Sequence, residues 1–393
     1  MAFNKTDIVM KKTGNIYLSV IVALLAIWLV PRLYYIITAE SYSTPFTLYS
    51  CTVDDFVSLT DKSGKDFVFT DTQGHEYGDS VLPFFYYRVL SSRNNVPEII
   101  NGEQFTGEEI ERNNIIFSST PRDVNAEGPN VYMLMESNPP RLELEDAEYA
   151  MVARKNGFKV IEMATNKCAT GLEEALNAAL DSVGFKFPAD IVSGNPSTRK
   201  SYDEGYMLTD TDGRLYHLKL VDGKPWVESI GTDGLDIRHI FITENDNKAS
   251  LAYIFDSENR FYVLDSLRRI LRTDVIADVA KQEVLLVGDV FNYTIRVSDT
   301  DGEDFWALET AGLKTLKTMR RDYPEPDSFD LPKYILPARL VLNSPLDMNI
   351  KPRLVDFSWI GLCIDTAILA IVYTSIRTFR RRRKKLMSTR GKE

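Results

Sequence analysis

Two short turns in this sequence carry paired carboxylates, the groups from which calcium sites are built. They are TDTDG at residues 209–213 and SDTDG at residues 298–302, and looser copies occur at residues 67–77 and 253–264. The calcium loop of an EF-hand requires three acidic or amide ligands, a glycine and a distal glutamate at fixed spacing, and neither copy completes that pattern. Asp bonds its own downstream backbone and Gly accepts a positive φ, so both residues favour tight turns. We therefore interpret both turns as β-hairpins, with calcium binding as the alternative. The carboxylates concerned are Asp210, Asp212, Asp299 and Asp301.

Sequence motifs for nucleotide, redox or hydrolytic chemistry do not occur in this chain. The sequence contains no Gly-x-x-x-x-Gly-Lys loop, no Gly-x-Ser-x-Gly elbow, no His-Glu-x-x-His pair and no Cys-x-x-Cys. Adjacent carboxylates such as Glu108 and Glu109 are common in so acidic a chain and do not by themselves indicate glycosidase chemistry. We therefore predict no cofactor and no metal ion, and we assign no enzymatic activity.

One ionisable side chain lies in each of two long apolar segments. Residues 16–37 and 357–376 are each long enough to cross a hydrocarbon core of about 30 Å, so each predicts a transmembrane helix. At 1.5 Å per residue, Arg32 lies about 8 Å from the outer end of the first segment and Asp365 about 12 Å from that of the second. A charge inside a bilayer is costly without a partner. Either Arg32 pairs with Asp365, or Asp365 binds another membrane protein, or Arg32 extends to the interface while a protonated Asp365 bonds within its own helix.

The charges outside the apolar segments predict the membrane topology. The 393-residue chain has a formal net charge of −10, yet its ends are basic and residues 40–356 alone carry −20. Basic residues that flank a transmembrane helix stay in the cytoplasm. We therefore expect residues 1–15 and the basic tail 377–393 to be cytoplasmic and the acidic region to lie in the periplasm, outside the bacterial inner membrane. Such an acidic region argues against nucleic-acid binding. A cleaved secretory signal is the alternative for residues 16–37.

The acidic outer region divides into three parts by its sequence pattern. Residues 40–190 predict an α+β part with helix starts at Thr106 and Thr170, each followed three residues later by the glutamate of a capping box. Residues 191–323 consist of short β-branched and aromatic runs whose turns recur every 40–45 residues or so, roughly the length of one four-stranded propeller blade. Residues 324–356 hold six of the 17 prolines and predict a semi-rigid stalk.

Together these patterns predict a mainly β fold with some helix, namely an irregular β-propeller-like extracytoplasmic domain between N- and C-terminal transmembrane helices. The competing architecture is an open α+β domain followed by a smaller antiparallel barrel or sandwich. Cys51 and Cys168 could form one disulfide. We favour buried free thiols, because cysteine is commonly a small buried hydrophobe.

Three stretches of the outer region have distinctive amino-acid sequences. They are LPFFYYRVLSSRNNVPEIINGEQFTGEEIERN at residues 82–113, FPADIVSGNPSTRKSYDEGYMLTDTDGRLYHLKLVDGKP at residues 187–225 and IRHIFITENDNKASLAYIF at residues 237–255. Together they resemble an uncharacterised family of membrane-anchored extracytoplasmic proteins of Bacteroides-type bacteria. That family is similar to proteins found beside ABC-transporter components, which implies an accessory role. The resemblance supplies no catalytic residues.

The first functional hypothesis is a non-enzymatic binding module that associates with an integral membrane partner, such as the permease and ATPase of an ABC transporter. Aromatic side chains of the strand-rich part could form its contact surface, although core packing is the commoner role for each. The candidates are Trp226, Tyr253 and Trp306. The second hypothesis is a transmembrane signal sensor, and the third is an extracytoplasmic hydrolase of unrecognised type.

Overall fold

A computed structural model describes residues 5–38, 43–61, 67–126, 128–139, 143–324 and 331–390. The chain divides into two compact units. One unit comprises the described residues of 1–43 and 324–393, and the other runs from Thr44 to Tyr323. The helices are α1 Lys5–Thr38, α2 Tyr87–Ser92, α3 Gly107–Arg112, α4 Pro121–Val124, α5 Thr170–Ser182, α6 Leu331–Ile335 and α7 Trp359–Arg390.

The described residues of the Thr44–Tyr323 unit form five antiparallel meanders of four strands each. Sheet I contains β1 Thr47–Ser50, β2 Asp55–Asp61, β3 Phe67–Asp71 and β4 Glu76–Tyr77, and strand β5, Ile115–Ser119, comes next in the chain. Sheet II contains β6 Val131–Leu134, β7 Tyr149–Arg154, β8 Gly157–Glu162 and β9 Lys167–Cys168. Sheet III contains β10 Val192–Gly194, β11 Tyr206–Thr209, β12 Leu215–Val221 and β13 Lys224–Ile230. Sheet IV contains β14 Ile237–Ile242, β15 Ser250–Asp256, β16 Arg260–Asp265 and β17 Ile270–Ile276. Sheet V contains β18 Glu283–Gly288, β19 Asn292–Ser298, β20 Gly302–Glu309 and β21 Thr315–Asp322, and β5 pairs with β18 as its fifth strand.

The hydrophobic core lies between neighbouring sheets and joins them in the order II, III, IV, V, I. Each junction contains apolar side chains from both sheets that are almost completely buried, because strands that alternate inward and outward residues can bury one face against a neighbour. Representative pairs, in that order, are Met151 with Leu208, Met207 with Ile254, Tyr253 with Ile295, and Phe56 with Phe305.

The prediction of a mainly β fold with some helix is confirmed. Sheets III, IV and V begin at Val192, Ile237 and Glu283, so the predicted recurrence of four-stranded units is present. Sheets I and II, which lie in the part predicted as α+β, are meanders of the same kind. All five sheets belong to the Thr44–Tyr323 unit, without a division near residue 190.

A buried or half-buried aspartate begins four of the hairpin turns and organises them in the same way. At Asp210, one carboxylate oxygen accepts the amides of Asp212 and Arg214 at 2.9 and 3.0 Å, and the other accepts the Tyr216 hydroxyl at 3.1 Å. Asp71 and Asp256 make the corresponding bonds to the residues two, four and six positions later, and Asp265 makes those two and four positions later. The residue three positions after the aspartate has a positive φ, which explains the glycine at positions 74 and 213. The predicted hairpin turns are therefore confirmed.

The second Asp-x-Asp-Gly copy forms a tighter turn, although its letters match the first. Asp299 accepts the amides of Asp301 and Gly302 at 2.9 and 3.0 Å, and its own amide donates to the Gly302 carbonyl at 3.0 Å. Gly302 is already the first residue of β20 and has no positive φ. A Cβ at this position would collide with the Arg321 carbonyl on β21, so the glycine serves close strand approach here.

One of the two predicted capping boxes is confirmed and the other is wrong. At α3, Thr106 accepts the amide of Glu109, and the Glu109 carboxylate accepts the Thr106 amide at 2.8 Å. Helix α5 instead begins one residue earlier than predicted, with Ala169 as its N-cap. Glu173 is drawn away from the helix end, because its carboxylate accepts the Val160 amide of β8 and the Cys168 thiol, both at 3.0 Å.

The two ends of the Thr44–Tyr323 unit meet at one buried ion pair. Glu303 on β20 is 2% exposed and lies 3.1 Å from the Arg321 guanidinium. Arg321 also donates to the Pro45 carbonyl at 3.0 Å and to the Thr47 hydroxyl at 2.6 Å, and the Thr44 hydroxyl donates to Glu303 at 3.1 Å. The first strand of sheet I is thus held against the last strands of sheet V.

The other unit contains the two predicted membrane segments. Ile16–Thr38 of α1 and Trp359–Phe379 of α7 are long and apolar enough to cross a membrane. The second segment was predicted to begin at Phe357, but α7 begins at Trp359 because the Ser358 hydroxyl accepts the Gly361 amide at 3.1 Å, as a helix N-cap does. Most of the basic tail belongs to α7, which ends at Arg390. The proline-rich segment predicted as a stalk contains α6 and a hairpin of β22 Arg339–Val341 and β23 Arg353–Val355.

The turn aspartates predict a pH-dependent stability. Burial raises the pKa of Asp256, but the bonds from Arg260 and the Tyr262 hydroxyl outweigh it and hold the pKa below its ordinary value. Its stabilising contribution is therefore complete above the unfolded-state pKa of about 4 and is lost as the pH falls through the lower folded-state pKa. We expect Asp256→Ala to lower the free energy of unfolding by about 2–4 kcal/mol at neutral pH, and this difference to shrink in acid.

Thermal and urea unfolding of the full chain in a mild detergent measures this effect. The matched control is Asp301→Ala, because the Asp301 carboxylate is exposed and, within the described residues, accepts only the neighbouring Thr300 hydroxyl. We expect a change within about 0.5 kcal/mol for this control. Equal effects of the two substitutions would show that the buried turn carboxylate does not stabilise the sheets.

Candidate functional site

A polar cavity of about 1060 Å³ lies beside β5 in the Thr44–Tyr323 unit. Three elements form its wall: β5 itself, the loop of residues 195–205 between β10 and β11, and the loop of residues 243–249 between β14 and β15. A cavity of this volume can hold a ligand of several residues or rings. Its lining includes Asn114, Ile116, Arg199, Lys200, Glu244 and Asp246.

Strand β5 presents an open backbone edge in this cavity. The Asp289 amide at the end of β18 donates to the Asn292 carbonyl at 2.9 Å. Backbone N–H and C=O groups alternate in direction along a strand, so those of odd-numbered residues of β18 point toward β19 and those of even-numbered residues point toward β5. The register pairs Gly288 with Ile115, so Ile115, Phe117 and Ser119 are the residues of β5 whose backbone groups bond to β18. Consequently Ile116 and Ser118 direct their N–H and C=O groups away from β18. Within the described part of the chain, these four groups have no hydrogen-bond partner.

Aromatic packing fixes β5 at this position. Phe117 lies edge-on to Phe241 of β14 at 5.2 Å and to Tyr253 of β15 at 5.0 Å between ring centroids. Such pairs add to the stabilisation from apolar burial. The neighbouring Ile116 points the opposite way and is 59% exposed, as strand alternation requires. The strand therefore has one anchored face, one apolar exposed side chain and one unpaired edge.

A buried ammonium group holds the two loops of the cavity wall together. The side chains of Lys200, Asp203 and Glu244 are only 6, 4 and 4% exposed. The Lys200 ammonium lies 2.6 Å from Asp203 and 2.5 Å from Glu244, and it also donates to the Asn195 carbonyl. Its three N–H groups thus have three acceptors, which satisfies the desolvated charge.

The two carboxylates extend this contact to the neighbouring sheets. Asp203 accepts the hydroxyl of Ser137, which follows β6 of sheet II, at 2.8 Å. Glu244 accepts the Glu204 amide at 2.8 Å and the Asn195 side-chain amide at 2.7 Å. Burial raises the pKa of Glu244, although these bonds and the Lys200 ammonium favour its charged form. The cluster therefore connects sheets II, III and IV.

A second buried pair lies behind the same loop. Glu204 is 2.6 Å from the Lys219 ammonium, and its backbone carbonyl accepts the Nε2–H of His217 at 2.7 Å. His217 is completely buried, burial lowers its pKa, and its Nδ1 atom has no hydrogen-bond partner. This histidine is therefore held neutral within the wall, away from the open cavity.

The exposed side chains around the opening carry both signs of charge. Arg199 and Asp246 lie on the two loops, and Glu143 lies on the segment that precedes β7. Asp246 accepts the Ser201 hydroxyl at 2.6 Å. The cavity thus offers hydrogen-bond donors and acceptors of both charges beside the open strand edge. This arrangement suits binding of a polar, extended ligand better than concentration of a single charge.

A protein-family model described as a domain of unknown function, DUF4857, matches residues 46–308. The chain belongs to this family. The match extends from sheet I into β20 of sheet V, so it includes β5 and both loops of the cavity. No curated protein sequence matches the chain.

Three solved structures show a partial likeness to the chain. Hydrazine synthase of Kuenenia stuttgartiensis has 12% identity and a TM-score of 0.26, with 50% of this chain and 51% of that chain covered. The Dos1 propeller has 9% identity and a TM-score of 0.27, with 72 and 62% covered. PorZ, a surface component of the type-IX secretion system of Porphyromonas gingivalis, has 10% identity and a TM-score of 0.23, with 74 and 33% covered. The chain spans about half the length of the first and less than two thirds of the other two.

The aromatic residues proposed from the sequence lie outside this cavity. Tyr253 is completely buried in the core between sheets IV and V, and Trp306 packs partly buried against the same core. Trp226 is 38% exposed, with its ring 5.4 Å from His217 and the Arg268 guanidinium 5.9 Å above it. Core packing is therefore the role of Tyr253, and Trp226 alone of the three presents a substantial surface.

The two intramembrane charges occupy separate helices of the other unit. The Arg32 guanidinium is exposed and lies 5.7 Å above the Trp28 ring of the preceding helical turn. Asp365 on α7 is half-buried. No ion pair joins the two within the described residues, and their pairing stays a prediction.

The cysteines and the turn carboxylates provide no metal site in the part of the chain that is described. Cys51, Cys168 and Cys363 are free thiols, but Cys51 is half-buried and Cys168 is exposed, so the prediction that these two thiols are buried is wrong. No group of three or more His, Cys, Asp or Glu side chains there is arranged to hold a metal ion. At Asp210 the backbone amides and the Tyr216 hydroxyl already take up the oxygens that calcium would need. The hairpin interpretation of these turns therefore prevails over the calcium alternative.

Sequence reasoning missed the functional part of this cavity. The run IIFSS of β5 is rich in β-branched and aromatic residues, which is a strand signal, but its partner β18 lies more than 160 residues later in the chain. Lys200, Asp203 and Glu244 look like ordinary surface charges in the sequence. Only the meeting of two loops from different sheets buries them.

The Lys200 cluster predicts a large effect of a single substitution. Lys200→Met should lower the free energy of unfolding by about 3–5 kcal/mol, because it leaves two buried carboxylates without a cation. Lys186→Met is the matched control, since Lys186 pairs with Asp212 where the side chains are 55 and 37% exposed, and such a pair contributes about 1 kcal/mol or less. Denaturant unfolding of both variants measures the difference. Indistinguishable midpoints would contradict the assigned role of the cluster.

Proposed function

We propose that the chain is a non-enzymatic, membrane-anchored binding module that takes up an extended segment of a partner protein by β-strand addition to β5. The module is displayed on the periplasmic side of a bacterial inner membrane, with both termini in the cytoplasm, and its five sheets form an irregular propeller. The observation that carries the proposal is the unpaired edge of β5, which reaches the polar cavity at Ile116.

The geometry of β5 supports strand addition directly. Ile116 and Ser118 offer two N–H and two C=O groups in a row, the pattern to which an added strand bonds. Proteins generally cover, charge or shorten an exposed sheet edge, because it invites pairing with other chains. Here the edge lies within a cavity instead, so that loops on either side restrict which chain can reach it.

The side chains around the edge suit a peptide with alternating character. Ile116 is exposed toward one side of an incoming strand and supplies an apolar contact. Arg199, Asp246 and Glu143 supply charges of both signs near the opening. In strand addition the main chain provides affinity, whereas pockets for alternate side chains provide specificity.

The anchoring helices support a membrane protein as the partner. The two candidate spans would hold the module permanently near integral proteins of the same membrane, and the resemblance to proteins found beside ABC-transporter components favours a permease with its ATPase. An accessory subunit needs no catalytic centre, which is consistent with the sequence motifs that we found to be absent.

The proposed edge can be blocked by one substitution that leaves the sheet intact. Ser118→Pro removes the N–H that points away from β18, and proline is tolerated at an edge position of this kind. We expect co-purification of the partner permease and ATPase to fall about tenfold or more in mild detergent. Quantitative mass spectrometry of the tagged full-length chain, expressed in its source bacterium, measures the loss.

Ser118→Val is the matched control, because it changes the same exposed side chain and keeps the backbone N–H. This variant should retain its partners at the wild-type level, and thermal unfolding should show both variants folded. Retention of the same partners by Ser118→Pro would overturn strand addition. The absence of any permease or ATPase with the wild-type chain would overturn the transporter assignment.

Asp365 predicts a second contact with the partner, within the membrane. If its carboxyl group bonds a partner helix, Asp365→Leu should weaken the detergent-resistant association by about 1–2 kcal/mol, roughly tenfold. Asp365→Asn keeps a side chain that can both donate and accept a hydrogen bond and should retain most of the complex. Size-exclusion chromatography of the complexes compares the variants. Unchanged elution of the Asp365→Leu complex would contradict this contact.

A further inference from the structure

A second cavity, of about 840 Å³, lies within the unit that contains the membrane helices. One side is formed by Trp28, Arg32, Tyr35 and Ile36 on α1, and the opposite side is formed by residues 339–343 at β22 together with Ile350. Most of this lining is apolar, and Arg32 and Arg339 are its two charged residues. A site of this kind fits a ligand with one anionic group and a long apolar part.

The two arginines have unused capacity for an anion. Within the residues that the structure describes, no carboxylate pairs with Arg32, whose guanidinium lies over the Trp28 ring. Arg339 lies 2.6 Å from Asp356 and 5.1 Å above the Tyr35 ring, and its side chain is 33% exposed, so that an anion can reach it from the cavity. Two guanidinium groups and one carboxylate leave a net positive charge, and a phosphate oxygen is the acceptor that guanidinium groups bind well.

The cavity lies near the outer end of the first membrane segment. Arg32 lies six residues before the end of the Ile16–Thr38 segment, about 9 Å along the helix. Tyr35 lies three residues, about 5 Å, before that end, and Tyr favours the membrane–water interface. The cavity therefore extends from the interface at Tyr35 into the apolar layer at Trp28, and a charge at the depth of Arg32 needs an anionic partner.

The β22–β23 hairpin beside the cavity and the start of α7 that follows it expose an unusual amount of apolar surface. Six apolar side chains in this region are between 41 and 80% exposed. They are Leu346, Met348, Ile350, Leu354, Phe357 and Trp359. A group of exposed apolar side chains next to a membrane helix marks a membrane contact. The hairpin therefore rests in the interfacial layer, where lipid can enter the cavity from the side.

We propose that this cavity binds an anionic phospholipid, with its phosphate between Arg32 and Arg339 and its acyl chain along Ile36 and Ile350. The inference rests on the membrane insertion of the two helices that the proposed function assumes. A phospholipid fits better than a free phosphate ion, because the lining beyond the two arginines is apolar. The bound lipid would hold the β22–β23 hairpin against α1.

Native mass spectrometry of the full-length chain tests this site. The chain is released from mixed vesicles of phosphatidylglycerol and phosphatidylcholine, and the retained lipid is counted. We expect preferential retention of phosphatidylglycerol, and a loss of about tenfold or more in Arg32→Gln and Arg339→Gln. Arg32→Lys keeps the charge and should retain most of the lipid. Equal retention of the two lipids by the wild-type chain would overturn the proposal.

Arg353→Gln is the matched control on the same hairpin. Arg353 makes two bonds of 2.7 Å to Asp347 and does not line the cavity, so its removal should leave lipid retention unchanged. A loss as large as that of Arg339→Gln would overturn the proposal, as it would show a general charge effect. Displacement of phosphatidylglycerol by an equal concentration of inorganic phosphate would show an anion site without lipid recognition and would also overturn it.

Alkaline carbonate extraction separates this proposal from the proposed function. Variants that stay in the membrane fraction yet lose phosphatidylglycerol support the lipid site. A wild-type chain released from the membrane by carbonate would overturn both membrane anchoring and the lipid site. A wild-type chain that stays in the membrane without preference for phosphatidylglycerol overturns the lipid site alone.

Discussion

The candidate site depends on one desolvated ammonium group shared by two carboxylates. Lys200 is almost completely buried between Asp203 and Glu244, and an ion removed from water in this way is tolerated only when all its hydrogen bonds are made. Because Asp203 reaches sheet II through Ser137 and Glu244 lies between β14 and β15 of sheet IV, the lysine fixes the loop of residues 195–205 between three sheets. That loop is the wall opposite β5. The width of a cavity built from loops would otherwise vary, whereas short, charge-assisted hydrogen bonds fix the width of this cavity.

Strand β5 lies beside this rigid wall, at the edge of sheet V. The strand comes from the segment between sheets I and II, yet it joins sheet V at the edge formed by β18. Phe117 anchors one face against sheet IV, and the second edge remains open in the cavity. An unpaired strand edge normally makes a protein prone to aggregation. Here a fixed polar wall limits access to the edge of β5, which is why we connect this edge with the binding of one particular partner strand. In the proposed function, the Lys200 cluster holds open the space that strand addition to the β5 edge requires.

The sequence predicted those features that depend on local chemistry, and it failed where distant residues decide. Strand patterning predicts the mainly β fold and the recurring four-stranded units. The turn at Asp210 follows from hydrogen bonds that its side chain makes within seven residues of sequence. The turn at Asp299 has the same letters but is tighter, because Gly302 must lie against the Arg321 carbonyl of the next strand. The capping box at Thr106 forms because, among the described residues, only Thr106 bonds the Glu109 carboxylate, whereas the one at Thr170 fails because β8 binds Glu173. The proline-rich segment contains a hairpin that the composition alone did not indicate. No local pattern could show that Lys200 is buried, because its partner Glu244 lies 44 residues away on another sheet.

The ends of the Thr44–Tyr323 unit explain how such a body can be carried between two membrane helices. A domain inserted into another part of the chain needs neighbouring ends, since both connections must return to the same place. Here Arg321 and Glu303 bring this about, because together they bind the hydroxyl of Thr44, the carbonyl of Pro45 and the hydroxyl of Thr47. The Tyr323 amide donates to the Asp301 carbonyl at 2.9 Å, so the outgoing chain leaves beside the incoming one. Sheets I and V are therefore joined by a buried charge pair at the point where the chain enters and leaves the Thr44–Tyr323 unit.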